Sequence, residues 1–325
     1  MYQTLMTCCY SLRMAIFDYY VMVDWSGGSS RRGNRPDTIW IAHGVRTASN
    51  PCTVSPYSRT EATSRIRDII IANLNEDLRV LLCCDFGYGY PRRFSAGLPT
   101  ASASAWQVVW SYLYAAVQDD IGTTPGRKPT NRNNRFDVAE DINILMSPAA
   151  GLYGPFWCVQ KARTHFHVPQ NQPRQPFTTG QGNVLDALRE TDRRARSDTP
   201  FRLFGTGSVG SQVLTGIPRL HALRTDPLLA KISAIWPFET GWATKGSWLD
   251  PCVRVVHAEI YPSVKKPLKD SIKDRGQVHS MWRWARDLDR RGRLWKKFSI
   301  PNGIQAGSSD DICIRSEEGW ILGVR

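Results

Sequence analysis

Four acidic residues stand where their carboxylates can meet. Asp24 follows the apolar run YYVMV and precedes a Gly-rich turn, Asp85 follows VLLCC, and Glu259 lies near the end of VRVVHAEI. Asp274 opens a long helical stretch. Ligands of open α/β sheets bind at the carboxyl ends of the strands, so we expect these side chains to converge there. Because converging carboxylates repel one another unless a cation neutralises them, the sequence predicts a Mg²⁺ or Mn²⁺ site.

The position of Asp274 within its helical stretch supports this expectation. Asp274 begins an i, i+4, i+7, i+11, i+14 pattern that continues through Val278, Met281, Ala285 and Leu288. This stripe predicts that the first turn of the helix directs the acid toward the sheet. The alternative is an ordinary first-turn acid that is favoured by the helix dipole.

Histidines offer a second set of candidates. His257 stands two residues before Glu259, so both side chains project from the same face of a strand. A histidine there could orient a nucleophilic water or shuttle a proton, and the alternative is a core histidine. His165 and His167 have the spacing of a metal chelate, but without a third ligand in view we assign them no ligand role.

The elements that must position these side chains follow from hydrophobic patterning. Apolar runs predict strands in 18–28, 37–44, 79–91, 251–263 and 311–325, and helical periodicity predicts helices in 59–78, 102–120 and 273–294. We expect the first two strands to be antiparallel and the third to run parallel to the first. The fold class is therefore α/β, with a loop-rich helical insertion at about 92–195 and an extension, frayed or disordered, over residues 1–17.

The composition narrows the range of binding partners to be expected. Lys and Arg number 42 against 29 Asp and Glu, which gives a net charge of +13. Such an excess suits nucleic acid, and the alternative is an Arg-rich protein with a basic solvated surface. No apolar run is long enough for a membrane span, and the eight cysteines include no C-x-x-C pair. We therefore expect a cytoplasmic protein with no membrane partner.

A glycine pattern argues for a different chemistry. FRLFGTGSVGSQ carries G-x-G-x-x-G at Gly205, Gly207 and Gly210. A dinucleotide site also needs a buried strand before the loop and a helix after it. The preceding run is short, and Pro218 is expected to end any helix in its second turn. We interpret the loop as a turn whose backbone approaches another group closely.

Several segments together resemble a family of predicted nucleases with a ribonuclease-H-like fold. These segments include VDWSGG, CCDFGYGYP, GPFWC, FGTGSVGSQVLTGIP, AEIYPS and KDRGQV, and they cover most of the chain from about residue 20 to the end. The resemblance implies one domain over residues 18–325, built on a mixed five-stranded sheet flanked by helices. The chain departs from the family pattern at Gly87 and Cys158, neither of which is a predicted ligand.

The resemblance also implies an activity and its residues. Asp24, Asp85, Glu259 and Asp274 match the family's acids, and the activity would be two-metal hydrolysis of phosphodiester bonds. Asp24 would bridge both ions while the other three acids complete their shells. In this interpretation Arg31, Arg32 and Arg35, which lie in the first hairpin, could bind phosphates of the nucleic acid.

Two other classes of function stay open at this stage. DWSGGSS is similar to the first phosphate loop of actin-like and sugar-kinase proteins, which predicts an ATP-binding phosphotransferase. Such proteins usually need two related domains, and this chain carries one set of signals. The second alternative is a non-catalytic protein that binds nucleic acid or protein.

Overall fold

A mixed sheet with helices on both faces forms the centre of the protein. The computed structural model describes residues 15–100, 102, 104–124, 126–160, 165–245 and 248–325. The strands are β1 (Tyr19–Asp24), β2 (Trp40–Val45), β3 (Cys52–Val54), β4 (Val80–Cys84), β5 (Phe177–Thr178), β6 (Val184–Leu185), β7 (Ser233–Ile235) and β8 (Val255–Glu259). The helices are α1 (Arg59–Asn75), α2 (Ala105–Ala116), α3 (Arg135–Met146), α4 (Glu190–Ala195), α5 (Gly210–Arg224), α6 (Lys273–Arg290) and α7 (Ser309–Cys313).

Six of the strands form the main sheet, in the order β3-β2-β1-β4-β8-β7. β1 pairs antiparallel with β2 and parallel with β4, as predicted, and β8 is parallel to both β4 and β7. The carboxyl ends of β1, β4 and β8 therefore meet at one edge of the sheet. Neither β3 nor β7 is among the predicted strands, and with three residues each they are too short to show a pattern.

Strand alternation divides the core between two helical layers. Val21, Leu82 and Val255 face the layer that contains α1, α2, α3 and α5. Met22 and Val256, one residue along their strands, face α6 and the C-terminal segment. By the same alternation Asp24 lies on the α6 side of the sheet, whereas His257 and Glu259 lie on the other side.

Two of the predicted local structures are wrong. Residues 311–325 form α7 and a π-helical turn, and only the bridge between Ile321 and Glu259 joins this described segment to the sheet. Pro218 does not end the helix that follows the Gly-rich loop, because α5 continues to Arg224. α5 is buried along most of its length, so packing outweighs the one backbone hydrogen bond that the proline removes.

The insertion contains more regular structure than the sequence indicates, and the end of the N-terminal extension is attached to α6. Within 92–195 the chain forms α2, α3, α4 and the small sheet of β5 and β6. Residues 1–14 of the predicted extension lie outside the described residues. The amides of Ile16 and Phe17 both donate to the buried carboxylate of Asp289 at 2.8 Å, which attaches this end of the chain to α6.

Candidate active site

Asp24 and Asp85 lie side by side at the ends of two parallel strands. Asp24 is the last residue of β1, and Asp85 directly follows β4. Val23 is paired with Cys84 in the sheet, and the amide of Asp85 donates to the carbonyl of Val23 at 3.1 Å. Oδ1 of Asp85 accepts a hydrogen bond from the amide of Trp25 at 2.6 Å. The two acids are thus held together by backbone contacts, as the strand-end argument predicts.

Asp274 joins them from α6, which covers the same side of the sheet. It lies in the first turn of α6, and its Oδ2 accepts from the amide of Asp37 at 2.7 Å. Asp37 belongs to the loop that leads into β2, and Trp40 of β2 is paired with Asp24. The helix therefore presents its first-turn acid to the same edge of the sheet as Asp24, in agreement with the stripe pattern.

The electrostatics of this acid cluster are unfavourable in the absence of a counter-charge. Burial raises the pKa of Asp24 well above its usual value, and the nearby charges of Asp85 and Asp274 raise it further. Burial also raises the pKa of Asp85 to about 7, against the opposing effect of the Trp25 amide. The pKa of Asp274 is raised, mainly by burial. The described residues provide no salt bridge to any of these three carboxylates. We call Asp24, Asp85 and Asp274 the carboxylate cluster.

Glu259 is bound differently. Its Oε2 accepts from Nη1 of Arg189 and its Oε1 from Nη2, both at 2.7 Å, and Oε2 also accepts from the amide of Tyr88 at 3.0 Å. Burial raises the pKa of Glu259, and Arg189 opposes that shift. Both oxygens are thus already occupied by a cation, so Glu259 does not fit the expectation that it completes a metal shell.

Arg189 is the partner of Glu259 that the sequence analysis missed. It is buried and donates to Asp192 and to the carbonyl of Glu318 as well as to Glu259. Its guanidinium also contacts Gly87, where an added Cβ would lie 3.3 Å from it. A buried arginine pairs with a strand-end acid 70 residues away, so no local pattern could have revealed it.

His257 is enclosed in the sheet. Its side chain is fully buried, and neither ring nitrogen has a hydrogen-bond partner among the described residues. Burial lowers the pKa of His257 to about 3, with a further contribution from Arg224. The ring is therefore neutral over the physiological range. The described structure gives no hydrogen bond through which it could hold a water or pass a proton to the carboxylate cluster.

The three predicted phosphate-binding arginines lie in the loop that connects β1 with β2, directly after Asp24. The guanidinium of Arg31 lies over the ring of Tyr57 at 4.7 Å and is 4.0 Å from Glu61. Arg32 and Arg35 are exposed. Two of the three cations are thus available to an incoming anion beside the acids.

The turn between Asp24 and this loop is held by buried polar residues. Arg59 is fully buried and donates to the carbonyls of Ser26 and Gly28, at 3.0 and 2.7 Å. Nη1 of Arg135 donates to Oγ of Ser29 at 2.8 Å. In the sequence, the only signal from Arg59 and Arg135 is their positive charge. Exposed arginines carry the same charge, so the sequence does not distinguish these two as buried residues.

The helix that follows the Gly-rich loop packs against the same turn. Gly205 and Gly207 have positive φ and lead into α5. A Cβ on Gly27 would lie 2.7 Å from the carbonyl carbon of Ser211, and the side-chain amide of Gln212 donates to the carbonyl of Trp25 at 2.8 Å. Ser211 and Gln212 lie in the first turn of α5, so α5 is the element that approaches the turn after Asp24. A Cβ on Gly205 would instead meet the side chain of Arg202, and a Cβ on Gly207 would meet nothing within 4 Å. The residues before the loop are not part of the six-stranded sheet, which leaves the dinucleotide pattern without its strand.

The carboxylate cluster is chemically suited to a metal ion without being a preformed metal site. Across the described ranges, no group of three or more His, Cys, Asp or Glu side chains has a geometry ready to hold a metal ion. The chemistry of the carboxylate cluster does fit a hard divalent cation, because carboxylate oxygens of like charge lie together without a salt bridge among the described residues, and the charge of Lys273 opposes the rise in pKa of Asp24 and Asp274 without cancelling it. His165 and His167 instead share the carboxylate of Glu140, each through Nδ1 at 2.9 Å.

Two further observations give no additional indication of function. Within the described part of the chain, no helix has the length and apolar character that crossing a membrane requires. Compared with models of protein families, with curated proteins and with solved structures, the chain matches none of them.

Proposed function

We propose that the protein hydrolyses phosphodiester bonds of nucleic acid with the help of Mg²⁺ or Mn²⁺. The observation that carries this proposal is the carboxylate cluster, in which the charges of Asp85 and Asp274 raise the pKa of the buried Asp24 and no salt bridge reaches any of the three acids within the described ranges. Such an arrangement is typical of functional sites, because a purely structural role would be served better by paired or apolar side chains.

The sheet order supports a ribonuclease-H-like fold as part of the same proposal. Three antiparallel strands lead into two parallel ones in the order β3-β2-β1-β4-β8, and β7 extends the edge. In that arrangement the first and fourth strands are central neighbours, so their terminal acids share one position. The resemblance drawn from the sequence motifs implies the same placement for Asp24 and Asp85.

In this proposal each group of residues has a separate role in hydrolysis. Asp24, Asp85 and Asp274 would hold the cation, and Glu259, whose oxygens are bound by Arg189, would not be a ligand. A bound divalent cation supplies charge neutralisation and a water that ionises near neutral pH. Arg32 and Arg35 would attract and hold phosphates of the substrate, and the net charge of +13 would favour its approach.

The direct test is cleavage of end-labelled DNA and RNA, single- and double-stranded, with Mg²⁺, with Mn²⁺ and with EDTA. We expect cation-dependent cleavage that Asp24→Asn and Asp85→Asn each reduce by a factor of 100 or more, on the order of the loss caused by removing a main electrostatic group. Asp77→Asn is the matched control, since the side chain of Asp77 is 91% exposed and makes a surface ion pair with Arg254.

Cleavage that survives in both cluster variants, or that EDTA leaves unchanged, would overturn the proposal. Crystals soaked in Mn²⁺ give a second, activity-independent readout. Anomalous density between Asp24, Asp85 and Asp274 is expected, and its absence at saturating Mn²⁺ would equally argue against the site.

A further inference from the structure

A groove in the insertion is separate from the carboxylate cluster. It is formed by the segment that follows α3 and by residues 166–178, and its volume is about 810 Å³. Two apolar side chains at this groove are unusually open to solvent, Phe166 at 83% and Leu152 at 62%. We call it the aromatic groove. Large exposed apolar side chains grouped at a concave surface are typical of binding sites.

The exposure of Phe166 is imposed by its neighbours. His165 and His167, on either side, both hydrogen-bond to the carboxylate of Glu140 on α3. The amide of His167 also donates to Glu140 at 2.9 Å, and the side chain of Asn143 donates to the carbonyl of His167 at 2.8 Å. The chain is thus attached to α3 on both sides of Phe166, and the ring is held outward in water. Its hydration is a cost that binding of a planar apolar group would relieve.

The other lining groups indicate what that planar group is. Amide side chains are supplied by Asn171, Gln172 and Gln175; among the described lining residues Arg174 is the one charged group, and none is acidic. Aromatic rings stack on nucleobases, amides bond to their edges, and arginine pairs with phosphate. We propose that the aromatic groove binds an unpaired stretch of nucleic acid, with a base stacked on Phe166 and a phosphate paired with Arg174. The choice of nucleic acid as partner rests on the proposed function.

Helix α3 connects this groove with the turn after Asp24. Arg135, at the start of α3, contacts Ser29 in the turn after Asp24, and Pro148 of the groove follows the end of the same helix. A 12-residue helix is about 18 Å long, from the rise of each residue. At about 3.4 Å for each stacked nucleotide, about five nucleotides cover that distance. A strand of this length therefore reaches from the aromatic groove to the turn after Asp24.

Binding of a fluorescein-labelled 12-nucleotide oligothymidine, followed by anisotropy in EDTA, tests the groove without cleavage. We expect Phe166→Ala to weaken binding by about tenfold, the usual cost of losing one base–aromatic stack. Arg174→Ala should weaken it by several-fold and reduce its salt dependence. Leu228→Ala is the control, because Leu228 is as exposed as Leu152 and lies outside the groove. A duplex of equal length should bind with the same affinity to wild type and to Phe166→Ala.

Equal oligothymidine affinity of wild type, Phe166→Ala and Arg174→Ala would overturn the proposal, as would an equal loss in Leu228→Ala. Preferential binding of a proline-rich peptide that Phe166→Ala abolishes would also overturn it in favour of a protein partner. The two proposals fail separately. Cleavage that depends on Asp24 but binding that ignores Phe166 would refute the groove alone, and the reverse result would refute the nuclease alone.

Discussion

Arg189 donates one hydrogen bond to each carboxylate oxygen of Glu259, at 2.7 Å in both cases. The same guanidinium donates to both oxygens of Asp192 at 2.8 Å, and all three side chains are buried. One cation is thus shared by two carboxylates in the interior of the protein. The ion pair occupies both oxygens of Glu259 on the side of the sheet away from the carboxylate cluster, although the charge of Glu259 still raises the pKa of Asp85.

Removal of Arg189 should destabilise the protein strongly. We expect Arg189→Met to lower the free energy of unfolding by about 3–5 kcal/mol, because two buried carboxylates lose their partner. Arg193→Met is the control, since Arg193 makes surface ion pairs with Asp186 and Glu190 and should cost less than about 1 kcal/mol. Urea unfolding measures both values.

A double variant separates the charge effect from packing. Adding Glu259→Gln to Arg189→Met should recover part of the lost stability, since one of the uncompensated charges is then absent. An additive double variant would contradict the ion pair as the source of the effect.

The pKa of Asp85 predicts how stability changes with pH. Its folded-state pKa of about 7 lies above the usual value of 3.8, so between these values the folded protein binds a proton that the unfolded chain has released. The contribution of Asp85 to stability is therefore largest below about pH 4 and is lost as pH rises through 7.

The measurement is urea unfolding in EDTA across this pH range. Asp85→Asn cannot ionise and should therefore not lose stability as pH rises through 7. Its free energy of unfolding should increase relative to that of wild type over this range. Asp77→Asn should follow the wild-type curve. If Asp85→Asn does so too, the carboxyl of Asp85 is not the group that titrates.

His257 should produce the opposite trend on the acid side. Its folded-state pKa of about 3 lies below the usual 6.5, so its stabilising contribution is complete above pH 6.5 and is lost as pH falls toward 3. His257→Leu should stay within about 1.5 kcal/mol of wild type near neutral pH and lose less stability at acid pH. His257→Gln separates the effect of polarity from the effect of titration. It should be less stable than His257→Leu at every pH, because it buries a polar side chain, but it too should lack the loss of stability at acid pH. Unchanged acid sensitivity in both variants would exclude His257 as its source.

Much of the fold could be predicted because its signals are local. The continuous apolar runs of β1 and β4 and the apolar stripe of α6 determine those elements, and they bring Asp24, Asp85 and Asp274 together. Alternation along β8 also correctly put His257 and Glu259 on one face of their strand.

The remainder depends on contacts between distant segments. α5 contains two features that disfavour helix, Gly216 and Pro218, and forms because its face is buried against the sheet and α2. The apolar letters of residues 311–325 are compatible with strand or helix, and tertiary packing selects helix up to Glu318. Neither the Arg189–Glu259 pair nor the attachment of Phe166 through Glu140 has a spacing signature, since both join separate loops to regular elements.

The exposed arginines of the β1–β2 loop should contribute to the salt dependence of nucleic-acid binding. Removing one arginine–phosphate pair reduces the slope of log affinity against log salt by about one. Arg32→Ala and Arg35→Ala should each show this decrease and weaken binding to all sequences alike. Arg290→Ala removes an exposed charge at the opposite end of α6 from Asp274 and should leave the slope nearly unchanged. Equal effects of all three substitutions would mean that net charge, and not this loop, attracts the ligand.

The contact between the turn after Asp24 and helix α5 predicts a difference between two neighbouring glycines. A Cβ on Gly27 would lie 2.7 Å from the carbonyl carbon of Ser211, whereas a Cβ on Gly28 would meet nothing closer than Oγ of Ser26 at 3.3 Å. Backbone cannot yield as a side chain does, so Gly27→Ala must separate the turn from α5. We expect it to cost about 1–3 kcal/mol of unfolding free energy, as overpacking does, and Gly28→Ala to cost less. Because the turn directly follows Asp24, Gly27→Ala should also reduce the proposed cleavage more than Gly28→Ala does. Equal stability and activity of the two variants would show that this contact does not position the carboxylate cluster.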